Sequence, residues 1–87
     1  MGDYQVGCII PDGRDADRRI DSLGGPNFKT APIDDVIRWI EEGHTFWVSV
    51  RGYRVNVLVR QHSNGRKYLT TEGDSFPPNN LLNLPHC

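Results

Sequence analysis

From Thr45 onward the chain alternates apolar and polar residues with a period of two, and this pattern constrains the fold more than any other feature. Thr45-Phe46-Trp47-Val48-Ser49-Val50 and Tyr53-Arg54-Val55-Asn56-Val57-Leu58-Val59 flank Arg51-Gly52. In a strand successive side chains point to opposite faces, so such a run forms a sheet with one greasy side. If Arg51-Gly52 is a two-residue turn, Val50 faces Tyr53, Val48 faces Val55 and Phe46 faces Val57. Asn64-Gly65, the strongest short hairpin signal in the chain, predicts a second turn with Gln61 facing Tyr68 and Val59 facing Thr70. The expectation is a three-stranded antiparallel meander. Its inner face carries Phe46, Val48, Val50, Tyr53, Val55, Val57, Val59, Tyr68 and Thr70. Its outer face carries Thr45, Trp47, Ser49, Arg54, Asn56, Leu58, Arg60, His62, Lys67, Leu69 and Thr71. A slip of one residue would exchange the faces of a strand.

Upstream, Tyr4 to Ile10 is β-rich and stops at Pro11-Asp12-Gly13, and Arg18 to Leu23 is a second strand ended by Gly24-Gly25-Pro26. The two predict an N-terminal hairpin. Ile33, Val36, Ile37 and Ile40 recur at i, i+3, i+4 and i+7, the stripe of a helix with one buried face. Thr30 and Pro32 mark its start, Asp34 and Asp35 complement its positive end, and Gly43 stops it. Arg38 lies within reach of Asp34 and Glu42. The tail, residues 76–87, is rich in Pro and Asn but holds Leu81, Leu82 and Leu84, which need cover. Asn79 or Asn80 could cap a helical turn ending at Pro85. The fold class expected is α+β, in the order ββαβββ with a docked C-terminal tail, over one domain of residues 1–87.

With 87 residues the chain has room for one modest core. No apolar run approaches the roughly 18 residues of a membrane span. The opening residues show neither a secretory leader nor the Ser or Thr of a myristoylation signal. Cys8 and Cys87, too few for a disulfide framework, read as free thiols in a reducing compartment, with Cys8 as a small buried hydrophobe. A cytoplasmic location is the expectation. Net charge is −1, yet its distribution is uneven. Between Gly43 and Thr71 there is no acid, while Arg51, Arg54, Arg60, Arg66 and Lys67 fall there. The acids gather at Asp12, Asp15, Asp17, Asp21, Asp34, Asp35, Glu41 and Glu42.

Arg19-Ile20, Leu23-Gly24-Gly25, Ile37-Arg38-Trp39-Ile40-Glu41-Glu42-Gly43, Lys67-Tyr68-Leu69-Thr70-Thr71 and, most specifically, Asn79-Asn80-Leu81-Leu82-Asn83-Leu84-Pro85-His86-Cys87 resemble a family of small bacterial proteins known as domain of unknown function 3892. The resemblance spans most of the chain. It implies a lineage without an assigned activity, cofactor or catalytic residue. Similar sequences tend to carry a Ser or Thr cap where this chain has Pro32.

For function, the outer face of the meander is the candidate. Arg54, Arg60 and Lys67 can neutralise phosphates while Trp47 offers a stacking surface, the combination used to hold single-stranded nucleic acid. Against this, such sheets normally expose two or more ring platforms and this face predicts one, while the tail leucines could cover Trp47, Leu58 and Leu69. Cys8, Cys87, His44, His62 and His86 lack the spacing of a zinc site. The Asp12–Asp17 stretch misplaces the glycine and distal Glu of a calcium loop and reads as a solvated hairpin loop. Gly24-Gly25 is no dinucleotide fingerprint. His86 beside Cys87 on a tail is a poor nucleophile and base pair. The expectation is therefore an accessory or interaction domain with no catalysis, cofactor or metal, acting through the edge or outer face of its meander. Its expected partner is a protein, with single-stranded nucleic acid on Trp47, Arg54, Arg60 and Lys67 as the alternative. The first and last strands could each be a free edge, which leaves self-association open.

Overall fold

A computed structural model describes residues 2–74 and 76–87 of the chain. The fold is α+β, in the order β1 (Asp3–Gln5), β2 (Cys8–Pro11), β3 (Ile20–Gly25), β4 (Phe28–Pro32), α1 (Ile33–Glu41), β5 (Thr45–Val50), β6 (Tyr53–Gln61), β7 (Lys67–Thr71) and α2 (Asn79–Leu82). The meander β5-β6-β7 is extended at β5 by β1, which pairs with it in parallel. A second, antiparallel sheet runs β2-β3-β4. Both sheets and α1 enclose one apolar cluster that includes Ile9, Ile20, Leu23, Val36, Phe46, Val48, Val57, Leu69 and Leu81.

The β5–β6 register is the one the two-residue turn dictates, with Val48 opposite Val55 and Val50 opposite Tyr53. Arg51 and Gly52 have φ of 52° and 82°, the left-handed pair that a tight hairpin matching the strand twist needs. Tyr53 is nevertheless 75% exposed, because the hairpin tip projects past the core. The β6–β7 register departs from expectation. Gln61 pairs with Lys67 and Val59 with Leu69, since the connection spans residues 62–66, with the His62 N–H donating to the Arg66 carbonyl at 2.8 Å and the Gly65 N–H to His62. One residue of slip exchanges the faces of β7. Leu69 and Thr71 are buried on the core side with Val57 and Val59, whereas Tyr68 and Thr70 lie on the opposite face with Leu58 and Arg60, Thr70 being buried there as well.

The expected first strand is two strands in different sheets. After Gln5 the chain crosses from one sheet to the other, its Val6 N–H bonding to the Trp47 carbonyl and its Gly7 N–H to the Gly24 carbonyl. Gly25 permits the crossing: a Cβ there would lie 1.9 Å from the Gln5 carbonyl oxygen. Residues 24–26 therefore do not end the second sheet. They lead into a tight turn at Pro26-Asn27 that closes β3 on β4, with Gly25 opposite Phe28.

Helix α1 starts at Ile33 behind Pro32, with no side-chain cap, and ends at Glu42 and Gly43. Ile33, Val36 and Ile37 of its stripe are buried as expected and Ile40 packs half-buried against the core, but Arg38 pairs with Asp35 at 3.3 Å, while Asp34 takes Arg18 at 2.7 Å. The tail docks through Leu81, which is wholly buried in the core, so the leucines do not lie over Trp47 and Leu58. It then pairs alongside β2, with the Ile9 N–H donating to the Pro85 carbonyl and the Cys87 N–H to the Ile9 carbonyl. That return brings Cys87 to Cys8, and the two form a disulfide with Cα atoms 5.0 Å apart, which overturns the reading of free thiols. No helix among the described residues is long and apolar enough to cross a membrane.

Candidate functional site

The four residues expected on the outer face do not converge. Lys67, carried to the other side by the slip of β7, forms an ion pair with Glu41 of α1. Arg54 lies over the Trp47 ring, 5.0 Å from its centroid, and also grips Asp3 at 2.6 Å. Of the three cations among them, Arg60 alone has no ion pair among the described residues. The slip brings a second ring, Tyr68, to this face, but its surfaces are taken: His62 stacks on it at 4.3 Å and Phe76 meets it edge-on at 5.2 Å. Arg54 draws the Asp3 carboxyl below its usual range by its hydrogen bonds, aided by the Thr45 hydroxyl.

The same pairing recurs elsewhere. Arg66 at the β6–β7 connection binds Asp15 at 2.9 Å and Asp17 at 3.4 Å, so the acidic loop between β2 and β3 is pinned rather than freely solvated. The Asn64 amide and a ring nitrogen of His62 add hydrogen bonds to Asp17. The uneven charge seen along the sequence is thus largely internal complementarity.

A cavity lies at the other end of the core. Tyr4 of β1, Phe28 and Asn27 at the β3–β4 turn, Trp39 of α1, His44 and Phe46 of β5 line a cavity of about 240 Å³. Phe46 is buried and forms the floor, with Trp39 parallel to it at 6.2 Å, Tyr4 at 5.2 Å and Phe28 edge-on at 5.5 Å. Tyr4, Phe28, Trp39 and His44 are half-buried and form walls. His44 accepts a hydrogen bond at Nδ1 from the Gly2 N–H at 2.9 Å, which fixes its ring beside Tyr4. Drug-sized ligands occupy pockets of roughly 300 Å³ and more, so this volume suits one side chain.

Sequence reasoning did not assemble this site, because its residues come from four separate places in the chain. The available signal was Trp39, which lies off the apolar stripe of α1 and so was not needed for the core, followed closely by His44 and Phe46. A second hollow, between the β5–β6 hairpin and α2, is lined by Ser49, Val50, Arg51, Asn80, Asn83 and Leu84. It offers no ring and no convergent charge. Among the described residues no cluster of His, Cys, Asp or Glu could hold a metal.

No curated protein and no solved structure matches the chain. A family model described as a protein of unknown function, DUF3892, covers residues 5–85, and the chain belongs to that family.

Proposed function

We propose that the chain is a non-catalytic interaction domain that receives one side chain of a partner protein in the aromatic cavity at the end of α1. The observation that carries this reading is an open cavity walled by rings and floored by Phe46, with none of the described residues inserted in it. Aromatic walls supply large contact area at low entropic cost, which is why they anchor interfaces. A route for the rest of a partner segment lies next to it. Strand β4 starts at Phe28 and pairs only with β3 among the described strands, so an extended segment can add to its outer edge while seating a side chain in the cavity. Nucleic acid is the weaker reading, because Arg54, Arg66 and Lys67 already hold carboxylates.

Selection of random phage-displayed peptides on the immobilised domain tests this. Enriched peptides are expected to shift the amide signals of Tyr4, Phe28, His44 and Thr30, and to bind Trp39→Leu at least about ten-fold more weakly, a loss of ~1.4 kcal/mol. Peptides that ignore Trp39→Leu, or a domain that enriches none, would sink the proposal. Binding of single-stranded DNA at Trp47 and Arg60 that collapses between about 50 and 200 mM salt would replace it with the nucleic-acid reading.

A further inference from the structure

Resting on the pocket reading above, we infer that the side chain the cavity selects is a cationic one, the ammonium of a partner protein's lysine, free or N-methylated. The cavity is lined by aromatic rings, and the face of an aromatic ring is the negative pole of its quadrupole. Tyr4, Phe28, Trp39 and Phe46 contribute four such rings, with His44 as a fifth. None of the lining residues brings a cation: His44 is an acceptor at Nδ1 in its bond to Gly2, and Asn27 is neutral. Lys29, the neighbouring cation of β4, is exposed and does not line the cavity.

The backbone supplies a second negative contribution. Helix α1 ends at this cavity, between Trp39 and His44, and the last-turn carbonyls carry the negative end of the macrodipole. Glu42 occupies the C-cap position of that helix and has no ion-pair partner among the described residues. A carboxylate at a helix C-terminus is unfavourable on its own account, and a ligand cation in the adjacent cavity would offset that cost. Size agrees: about 240 Å³ accommodates a methylated ammonium and part of its stem, whereas a whole ring system with substituents would protrude. The exposed stretch Lys29-Thr30 of β4 is the edge along which the flanking residues of the partner would run.

The test uses the intact wild-type domain and three blocked tripeptides that differ only at the central residue: lysine, trimethyl-lysine, and the uncharged tert-butyl isostere of trimethyl-lysine. Binding is followed by amide shifts and by Trp39 fluorescence. The charged trimethyl form is expected to bind about five- to thirty-fold tighter than its uncharged isostere, the range that cation–π contacts support. Shifts should centre on Tyr4, Phe28 and His44. Trp39→Phe, which keeps a ring face, should retain part of that preference, and Trp39→Leu should lose it. Equal binding of the charged and uncharged forms would overturn the cation while leaving the pocket reading intact. Shifts centred on the acidic loop at Asp12–Asp17 would overturn it as non-specific attraction. If no tripeptide moves the pocket signals the inference fails, and if the phage selection also fails, the pocket reading fails with it.

Discussion

Asp15 shows how a single side chain joins the two halves of the chain. Its burial against the β6–β7 connection pushes the carboxyl up, but hydrogen bonds from Arg66 and from the backbone N–H groups of Arg18 and Asp17, with the charge of Arg66, outweigh that and hold it below its usual range. Asp15 thereby raises Arg66 in return, chiefly through the same side-chain bond. The folded value of Asp15 lies below the unfolded value of about 3.9, so the stability it contributes is complete above the unfolded value and is lost as pH falls through the folded one. Because Arg66 is partly in solvent, screening keeps that contribution small. Carboxyl carbon shifts should place the Asp15 midpoint below that of a free aspartate, and Arg66→Ala should move it upward, since the burial persists without the partner. A midpoint indifferent to Arg66→Ala would contradict this account.

At the scale of elements, what could be read from sequence was what local pattern and turn chemistry determine. The helix and the β5–β6 hairpin followed from a stripe and from a two-residue turn. Strand β7 did not, although Asn64-Gly65 was rightly read as a turn. Gly65 sits at φ 89° within a five-residue connection, and nothing in Gln61 to Arg66 distinguishes that from a two-residue one. Strand β4 was missed because Gly24-Gly25-Pro26 looks like a terminator, while Gly25 in fact answers a close approach by Gln5 from a different sheet. The parallel β1–β5 pairing and the gathering of Tyr4, Phe28, Trp39 and Phe46 are non-local and leave no periodic trace. The slip of β7 is testable by stability. Leu69 is wholly buried, so Leu69→Ala should cost about 2–5 kcal/mol in denaturant unfolding. The outward-facing position first expected for Leu69 would cost under about 0.5 kcal/mol.

Across the whole molecule, the ends of the chain are held by the same device. Cys8 and Cys87 are separated by 79 residues, so their bond restricts almost the entire unfolded chain, and loop-closure entropy alone assigns it about 4–5 kcal/mol. Gly24 makes room for it, since a Cβ there would meet the Cys8 sulfur at 2.9 Å and the Cys87 sulfur at 3.0 Å. The bond also secures Leu81 in the core and the tail residues 85–87 beside Ile9, covering part of an edge that would otherwise be open to pairing. Sequence reading set the pair aside because two cysteines at opposite ends show no spacing to interpret. A chain of 87 residues has a modest core, so the loss of this link should be conspicuous. Reduction, or Cys87→Ser, is expected to lower the melting temperature by at least about 10 °C, given roughly 4–8 °C per kcal/mol for domains of this size. Amide exchange should rise first at Ile9 and Leu81. A melting temperature within about 2 °C of the oxidised protein would mean that Leu81 and the Pro85–Ile9–Cys87 hydrogen bonds fasten the tail unaided. The fold would then tolerate the reducing compartment first expected for it, whereas a large loss would favour an oxidising one.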